Sequence, residues 1–353
     1  MKRILKWSFF LVTIGALGWG AWRSWTWWQW ATAPPLVSQV EEATPPSIRV
    51  EIPPGTAVQQ IGSTLEKAGV IRSTVAWNLW ARWLRLQRET GDFQAGVYQL
   101  SPAEPLEEVA SKIWRGEVMQ QRFTIPEGWS ISQMAQYFEK EGWFSAKEFI
   151  DAARQVPYAQ FPWLPNGLPH LEGYLYPDTY QLADGEITPQ AAIEQMLRRF
   201  EQVALPAYRQ GKNPLQLSLH QWVTLGSIVE KESVVPQERQ RIAGVFTQRL
   251  KKGMKLEADP TVEYGLGIRQ TVDQPLTFQQ VETPSPYNTY LNPGLPPTAI
   301  ASPGIASLEA TLSPEETDYL YFMARYDGTH IFSRTLEEHQ AAIATVEQQL
   351  NSQ

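Results

Sequence analysis

The chain has 353 residues, 43% of them hydrophobic and 19% charged, enough apolar surface for roughly two or three cored domains and too little charge for a largely disordered polymer. It contains no cysteine, which excludes disulfides, thiolate metal sites and a cysteine nucleophile. Net charge is −7, and the first 23 residues carry four basic groups and no acid, so the rest stands at −11; an acidic body argues against nucleic acid as a partner.

Lys2, Arg3 and Lys6 precede an uncharged run from Trp7 to Trp22 that, with Ile4 and Leu5, approaches the length of a bilayer-spanning helix. Basic residues ahead of such a run place the N-terminus in the cytoplasm. Seven of the 15 tryptophans lie in the first 30 residues, and Trp22, Trp25, Trp27, Trp28 and Trp30 gather at its far end, where an interfacial aromatic belt belongs. The expectation is a single-pass anchor over residues 1–30 in the inner (plasma) membrane, with the body in the periplasm or cell envelope. A signal peptide cleaved at Ala31-Thr32-Ala33 is the competing reading, and it exports the body too. Residues 31–47, rich in Pro, Ala, Thr and Glu, read as a flexible linker.

Ser47–Ile52 reads as a strand, and Ile52-Pro53-Pro54-Gly55 as a turn into an amphipathic stretch that stops at Gly69. Thr74–Leu86 reads as a helix, Gly96–Leu100 as a returning strand and Leu106–Trp114 as another helix. This βααβ order over 48–121 is similar to a LysM module, a peptidoglycan-binding fold. The turn recurs as Ile125-Pro126-Glu127-Gly128, followed by a second stretch ending at Gly142. Residues 155–185 are rich in Pro, Gly and aromatics and read as surface and cleft loops. Helices are expected at Pro189–Val203, His220–Glu232 and Gln237–Lys251, with loops over 255–305. Tyr319–Arg325 and His330–Ser333 read as a hairpin and Leu336–Leu350 as a closing helix. The fold class is therefore α+β, with a mixed domain over 122–353.

Chemistry is approached by elimination. No phosphate loop, dinucleotide fingerprint, serine elbow or H-E-x-x-H is present, and His170, His220, His330 and His339 share no metal-ligand spacing. Carboxylates and aromatics remain, the usual equipment of a sugar-cleaving site. On the helix His220–Glu232, Glu232 falls on one stripe with Leu225, Ile228 and Val229, while Glu230 points roughly 160° away. A carboxyl on an apolar stripe is costly to ionise, so its pKa should rise, as a general acid requires. Spacing alone favours the rival reading, a solvated helix end at Glu230-Lys231-Glu232.

Leu225-Gly226-Ser227-Ile228-Val229-Glu230-Lys231-Glu232-Ser233 resembles the catalytic helix of the MltG/YceG family of endolytic murein transglycosylases. Glu172-Gly173-Tyr174-Leu175-Tyr176-Pro177-Asp178-Thr179-Tyr180, Leu256–Gly265, Pro286-Tyr287-Asn288-Thr289-Tyr290, Gly294-Leu295-Pro296-Pro297 and Gly328–Ser333 resemble its other motifs, in order. Thr298 and Ser302 depart from the Gly and Asn frequent there. The resemblance implies Glu232 as the catalytic residue, with Glu230 as the alternative. It implies non-hydrolytic cleavage of the β-1,4 bond between N-acetylmuramic acid and N-acetylglucosamine, giving 1,6-anhydro ends, with no metal or organic cofactor. Glu172, Tyr176, Asp178, Asp259, Tyr287, Asn288, Tyr290 and Asn292 become candidate substrate-binding residues, each with a turn, cap or packing role as the rival reading. Peptidoglycan strands are the implied substrate and peptidoglycan synthases (penicillin-binding proteins) candidate partners. A non-catalytic glycan-binding scaffold, and a hydrolase using Glu232 with Glu172 or Asp178, are the alternatives.

Overall fold

The computed structural model describes residues 2–36, 46–87, 91–184, 187–271, 274–325 and 327–351, and the chain divides into two units, 1–121 with 181–186, and 122–180 with 187–353. In the first unit a long helix α1 (Lys2–Thr32) is followed by β1 (Ile48–Ile52), α2 (Val58–Lys67), α3 (Thr74–Gln87), β2 (Gly96–Leu100) and α4 (Leu106–Arg115). β1 and β2 pair antiparallel from Ile48 with Leu100 to Ile52 with Gly96, closing the strand–helix–helix–strand order expected from the sequence. Val50 and Ile52 point inward and Arg49 and Glu51 outward, the period-two alternation of a sheet with one buried face. α2 and α3 cross at Gly62, where a Cβ would lie 2.4 Å from Trp77. The fully buried Trp77 donates its indole N–H to Val58 O at 2.9 Å, which satisfies the one polar atom of a large core side chain.

The N-terminal region differs from expectation at its junction with the body. Ala31 is buried in the core of this unit, Trp28 packs on that core, and Leu36 N–H bonds Pro102 O at 3.0 Å. The start of the expected linker is thus packed against the βααβ region; residues 37–45 lie outside the described residues. Among the described residues no helix is long and apolar enough to cross a membrane. The side chains of 2–14, which hold about half of the apolar run Trp7–Trp22, are not among those described.

The elements after α4 are, in order, β3 (Gln120–Thr124), α5 (Ile131–Lys140), α6 (Ala146–Ala153), β4 (Thr179–Ala183), α7 (Pro189–Gln210), α8 (Leu219–Glu232), α9 (Arg239–Lys251), α10 (Asp259–Leu266), α11 (Phe278–Val281), α12 (Ile305–Leu312), β5 (Tyr321–Ala324), β6 (His330–Ser333) and α13 (Leu336–Asn351), all helices from α5 onward lying in the second unit. β3 pairs with β4, each strand contributing residues to both units, and β5 with β6 as the expected hairpin, whose turn residue Tyr326 lies outside the described residues. Three elements fall in stretches read from the sequence as loops: β4, α10 and α11. α7 runs beyond Val203 to Gln210 and carries Pro206 inside it, because burial of Ala204 and Leu205 holds the last turns in place.

α8 is the centre of this unit. Ser218 caps it by accepting from Gln221 N–H, and Gln221 returns the bond to Ser218 N–H at 2.9 Å, a capping box. Every residue from Trp222 to Val229 is buried, so the helix is enclosed on all sides by α12, α9 and α10 rather than lying with one stripe on a core. Gly226 sets the approach of α12, since a Cβ there would lie 2.7 Å from Leu308. Trp222 donates to Leu308 O at 3.0 Å, and Ser227 accepts from Ile300 N–H at 3.1 Å.

Candidate active site

Glu232 is the last residue of α8, so the buried core fixes its position while its side chain emerges where the helix ends. The residue keeps part of its surface exposed while its carboxyl is desolvated, and that burial together with the like charges of Asp259 and Glu263 pushes its pKa up to about 8 against the weaker opposing effects of Lys231 and Arg249. At neutral pH it therefore holds its proton. The expected stripe of Leu225, Ile228 and Val229 is present and fully buried.

Asp259 and Glu263 stand one turn apart on α10, which packs against α8. The helix starts with Asp259 in its first turn and Pro260 beside it, then stops at Gly267 in the left-handed conformation. Tyr290 donates its hydroxyl proton to Asp259 at 2.6 Å, and Gln270 N–H bonds Glu263 at 3.2 Å. α10, which carries Asp259, and the loop carrying Tyr290 are locked by a buried pair, Thr261 and Thr289, at 2.9 Å. Asp259 and Tyr290 are thus electrostatic neighbours of Glu232. Glu263 and the neighbouring Tyr264 lay in a quoted motif without being singled out. The i, i+4 spacing of Asp259 and Glu263 pairs them only once α10 is recognised, and the sequence reading places residues 255–305 in loops.

Beside this cluster lies a cleft of about 660 Å³ whose walls include Glu172, Lys231, Glu263, Tyr264 and Tyr287. Glu263 belongs to both the cleft wall and the charge cluster around Glu232. Glu172 is 3% exposed and accepts from Ile131 N–H at 3.0 Å, at the first residue of α5, and from Tyr264 Oη at 3.0 Å. Burial raises its pKa to about 7 despite these two donors. Tyr264 and Tyr287 pack at 4.8 Å between ring centroids, and Tyr287 pairs with the hydroxyl of Thr298 at 2.8 Å, giving that departure from the frequent Gly a defined partner.

Other candidate residues are committed elsewhere. Asp178 accepts from Arg199 on α7 at 2.6 Å and from Thr179 N–H, so it organises the start of β4 rather than the cleft wall. Asn288 is fully buried, with both amide protons on the carbonyls of Val281 and Thr283 and its oxygen on Tyr290 N–H. Asn292 gives its amide protons to Ser285 O and Asn288 O. Tyr176 is buried, and burial pushes the pKa of its hydroxyl up to about 12. Glu230, the alternative to Glu232, accepts from Gly304 N–H at 3.0 Å and so satisfies the start of α12. Two carboxylates two residues apart thus serve different ends: one caps a helix, the other sits protonated in a charge cluster. Among the described residues no group of three His, Asp or Glu side chains is placed to hold a metal ion.

The electrostatics make a direct prediction. Asp259→Asn removes the larger like charge acting on Glu232, so the pKa of Glu232 should fall and the alkaline limb of the kcat/KM profile should move to lower pH. An unmoved limb would mean that Asp259 does not act on the titrating group.

Residues 50–345 match the YceG-like family. An endolytic murein transglycosylase of Bacillus subtilis is 33% identical over 320 residues, which cover 87% of this chain and 87% of that relative. An endolytic murein transglycosylase of Streptococcus pneumoniae is 30% identical over 325 residues; these cover 84% of this chain and 58% of that longer relative. A crystal structure described as that of a yceG-like protein from Listeria monocytogenes superposes with a TM-score of 0.57 at 33% identity, covering 85% of this chain and all of that one.

Proposed function

The chain belongs to the YceG-like family, and on that footing we propose that it is an endolytic murein transglycosylase with Glu232 as its acid–base residue. The observation that carries this is a carboxyl whose pKa is raised to about 8 at the end of a buried helix, beside two further carboxylates and a cleft. Glu232 gives its proton to the glycosidic oxygen as the bond to C1 of N-acetylmuramic acid breaks, and N-acetylglucosamine leaves with that proton. The C6 hydroxyl of the same muramic residue then attacks C1, and its proton returns to Glu232, closing a 1,6-anhydro ring. The negative charges of Asp259 and Glu263 favour the positive charge that develops on the sugar ring. The nucleophile belongs to the substrate, so no second carboxylate is needed to activate water. Glu172 and Asp178, the candidates for that second role, are engaged with α5 and Arg199.

The test is mass spectrometry of purified glycan strands incubated with the full chain. Anhydro-muramic ends from internal cuts are expected; reducing ends would establish a hydrolase instead. Glu230→Gln should leave the products and most of the rate intact, because the amide oxygen can still accept from Gly304 N–H.

The βααβ region is the proposed LysM-like glycan binder, and α1 the anchor in the plasma membrane, with the N-terminus cytoplasmic and the body in the envelope. Supporting the anchor are the basic start, the Trp7–Trp22 run and the exposed Trp19, Trp22, Trp25 and Trp30. Cutting nascent strands beside the synthases (penicillin-binding proteins) would end their elongation. Deleting residues 48–100 should weaken co-sedimentation with purified sacculi; undiminished binding by the remaining body would remove the glycan-binding role from this region.

A further inference from the structure

α3 is apolar on two faces. Trp77, Ala81 and Leu84 are buried against the rest of the first unit. Val75, Leu79, Trp83 and Leu86 are exposed at 58%, 50%, 42% and 79%. At about 100° per residue these four positions share one side of the helix, opposite the buried set, and Arg82 falls at the edge of that side. Thr74, Asn78, Arg82 and Arg85 form a polar strip along one flank of the exposed stripe, and the stripe itself is left uncovered.

The exposed stripe is continuous with the tryptophan-rich end of α1. Trp28 of α1 stacks on Trp80 at 6.4 Å between centroids, and Trp80 meets Trp83 at 4.7 Å. A groove between the two helices is lined by Arg23, Trp27, Trp28, Trp30 and Leu79. Charge adds a second, independent indication. α3 contains no acidic residue, and Arg72 and Arg82 lie before and on it, with Arg85 paired to Asp92 at 2.6 Å, in a chain with 37 acids against 30 bases. Arg72 sits over the ring of Trp30 at 5.8 Å. Exposed Trp and Leu side chains flanked by arginines are the composition that beds a helix in the headgroup layer of an anionic bilayer.

We propose that the exposed face of α3, with the adjoining tryptophans of α1, docks on the surface of a bilayer containing anionic phospholipid and so lays the βααβ region against the membrane. This rests on the reading of α1 as the anchor and adds a second contact to it. A second copy of the chain is the less favoured occupant, because a twofold contact through this stripe would bring Arg82 toward its own counterpart.

The absence of cysteine makes the test direct, since single cysteines can be introduced and labelled. Full-length Leu79→Cys and Leu86→Cys, each carrying an environment-sensitive fluorophore, are compared with Glu108→Cys on the exposed face of α4, on vesicles of phosphatidylglycerol and phosphatidylcholine and on phosphatidylcholine alone. The labels at Leu79 and Leu86 should shift to the blue and be quenched by a lipid-borne quencher on the anionic vesicles, and the Glu108 label should not. Adding Arg82→Glu should reverse the shift. If the chain floats with the vesicles while both stripe labels keep their aqueous emission, the docking surface is refuted and the α1 anchor stands. A chain that does not float refutes both. A blue shift without lipid that grows with protein concentration would assign the stripe to a second copy and overturn the proposal.

Discussion

Glu232→Gln should lower the rate of anhydro-muropeptide formation by at least the roughly 10²–10⁴-fold typical of losing a general acid–base, with little change in KM. The amide keeps the size of the side chain and removes the proton that the glycosidic oxygen receives. The fold should survive, and stability should respond to pH in a defined way. In the folded protein the carboxyl of Glu232 titrates near 8, against an ordinary value of 4.5. The folded state therefore holds a proton that the unfolded chain has released, and ionisation erodes stability as pH rises from about 4.5 to 8. Glutamine has no charge to bury, so the variant should match the wild type at pH 4 and exceed it increasingly toward pH 8, by roughly 3 kcal/mol at neutrality. Denaturant midpoints across that range check this. A variant that is inactive and also less stable at pH 8 would point to a structural role for the carboxylate instead.

Gly173→Ala should be the most damaging small substitution near the site. Gly173 has φ +85, a left-handed conformation that costs an L-residue about 1–2 kcal/mol. An added Cβ would also lie 2.4 Å from Ala299 Cβ and 2.7 Å from Val223 Cγ1, short side chains that cannot swing aside. With overpacking costs of about 1–3 kcal/mol, the sum is a large fraction of a domain's roughly 5–15 kcal/mol. Gly173 also follows Glu172 directly, so the backbone shift that relieves the clash must disturb the carboxyl that holds the start of α5 and Tyr264. A thermal midpoint lower by several degrees, with reduced activity below it, is expected. An unchanged midpoint would show that the contact of the 172–175 turn with α8 is looser than the geometry requires.

These two positions also mark what the sequence could and could not disclose. The helical period placed Glu232 on a stripe with Leu225, Ile228 and Val229, and the structure keeps all three buried. The period did not disclose that α8 is enclosed on every side, because α9, α10 and α12 arrive from 7 to 80 residues downstream. α10 stayed hidden because a helix beginning Asp-Pro looks locally like a turn, and with it went the partnership of Asp259 and Glu263. The polar loop residues share one feature that their motifs do not display. Asn288, Asn292 and Asp178 look like sugar contacts in a motif, but buried and tightly turned loops must first satisfy their own amides and carbonyls. The side chains of Asn288 and Asn292 are spent on the backbone of 281–290, and Asp178 on Arg199 and Thr179. Aromatic residues divided similarly: Tyr176 is buried away from the cleft wall, while Tyr287 reached the cleft.

The central claim is that one carboxyl, Glu232, is kept protonated at neutral pH by burial and by its acidic neighbours, ready to donate. Infrared difference titration of the full chain, with Glu232→Gln as the blank, reads that proton directly. The account predicts a protonated carboxyl band at pH 7 that is absent from the variant and disappears on titration near pH 8. A band assigned to Glu232 that is already lost at pH 5 would contradict it.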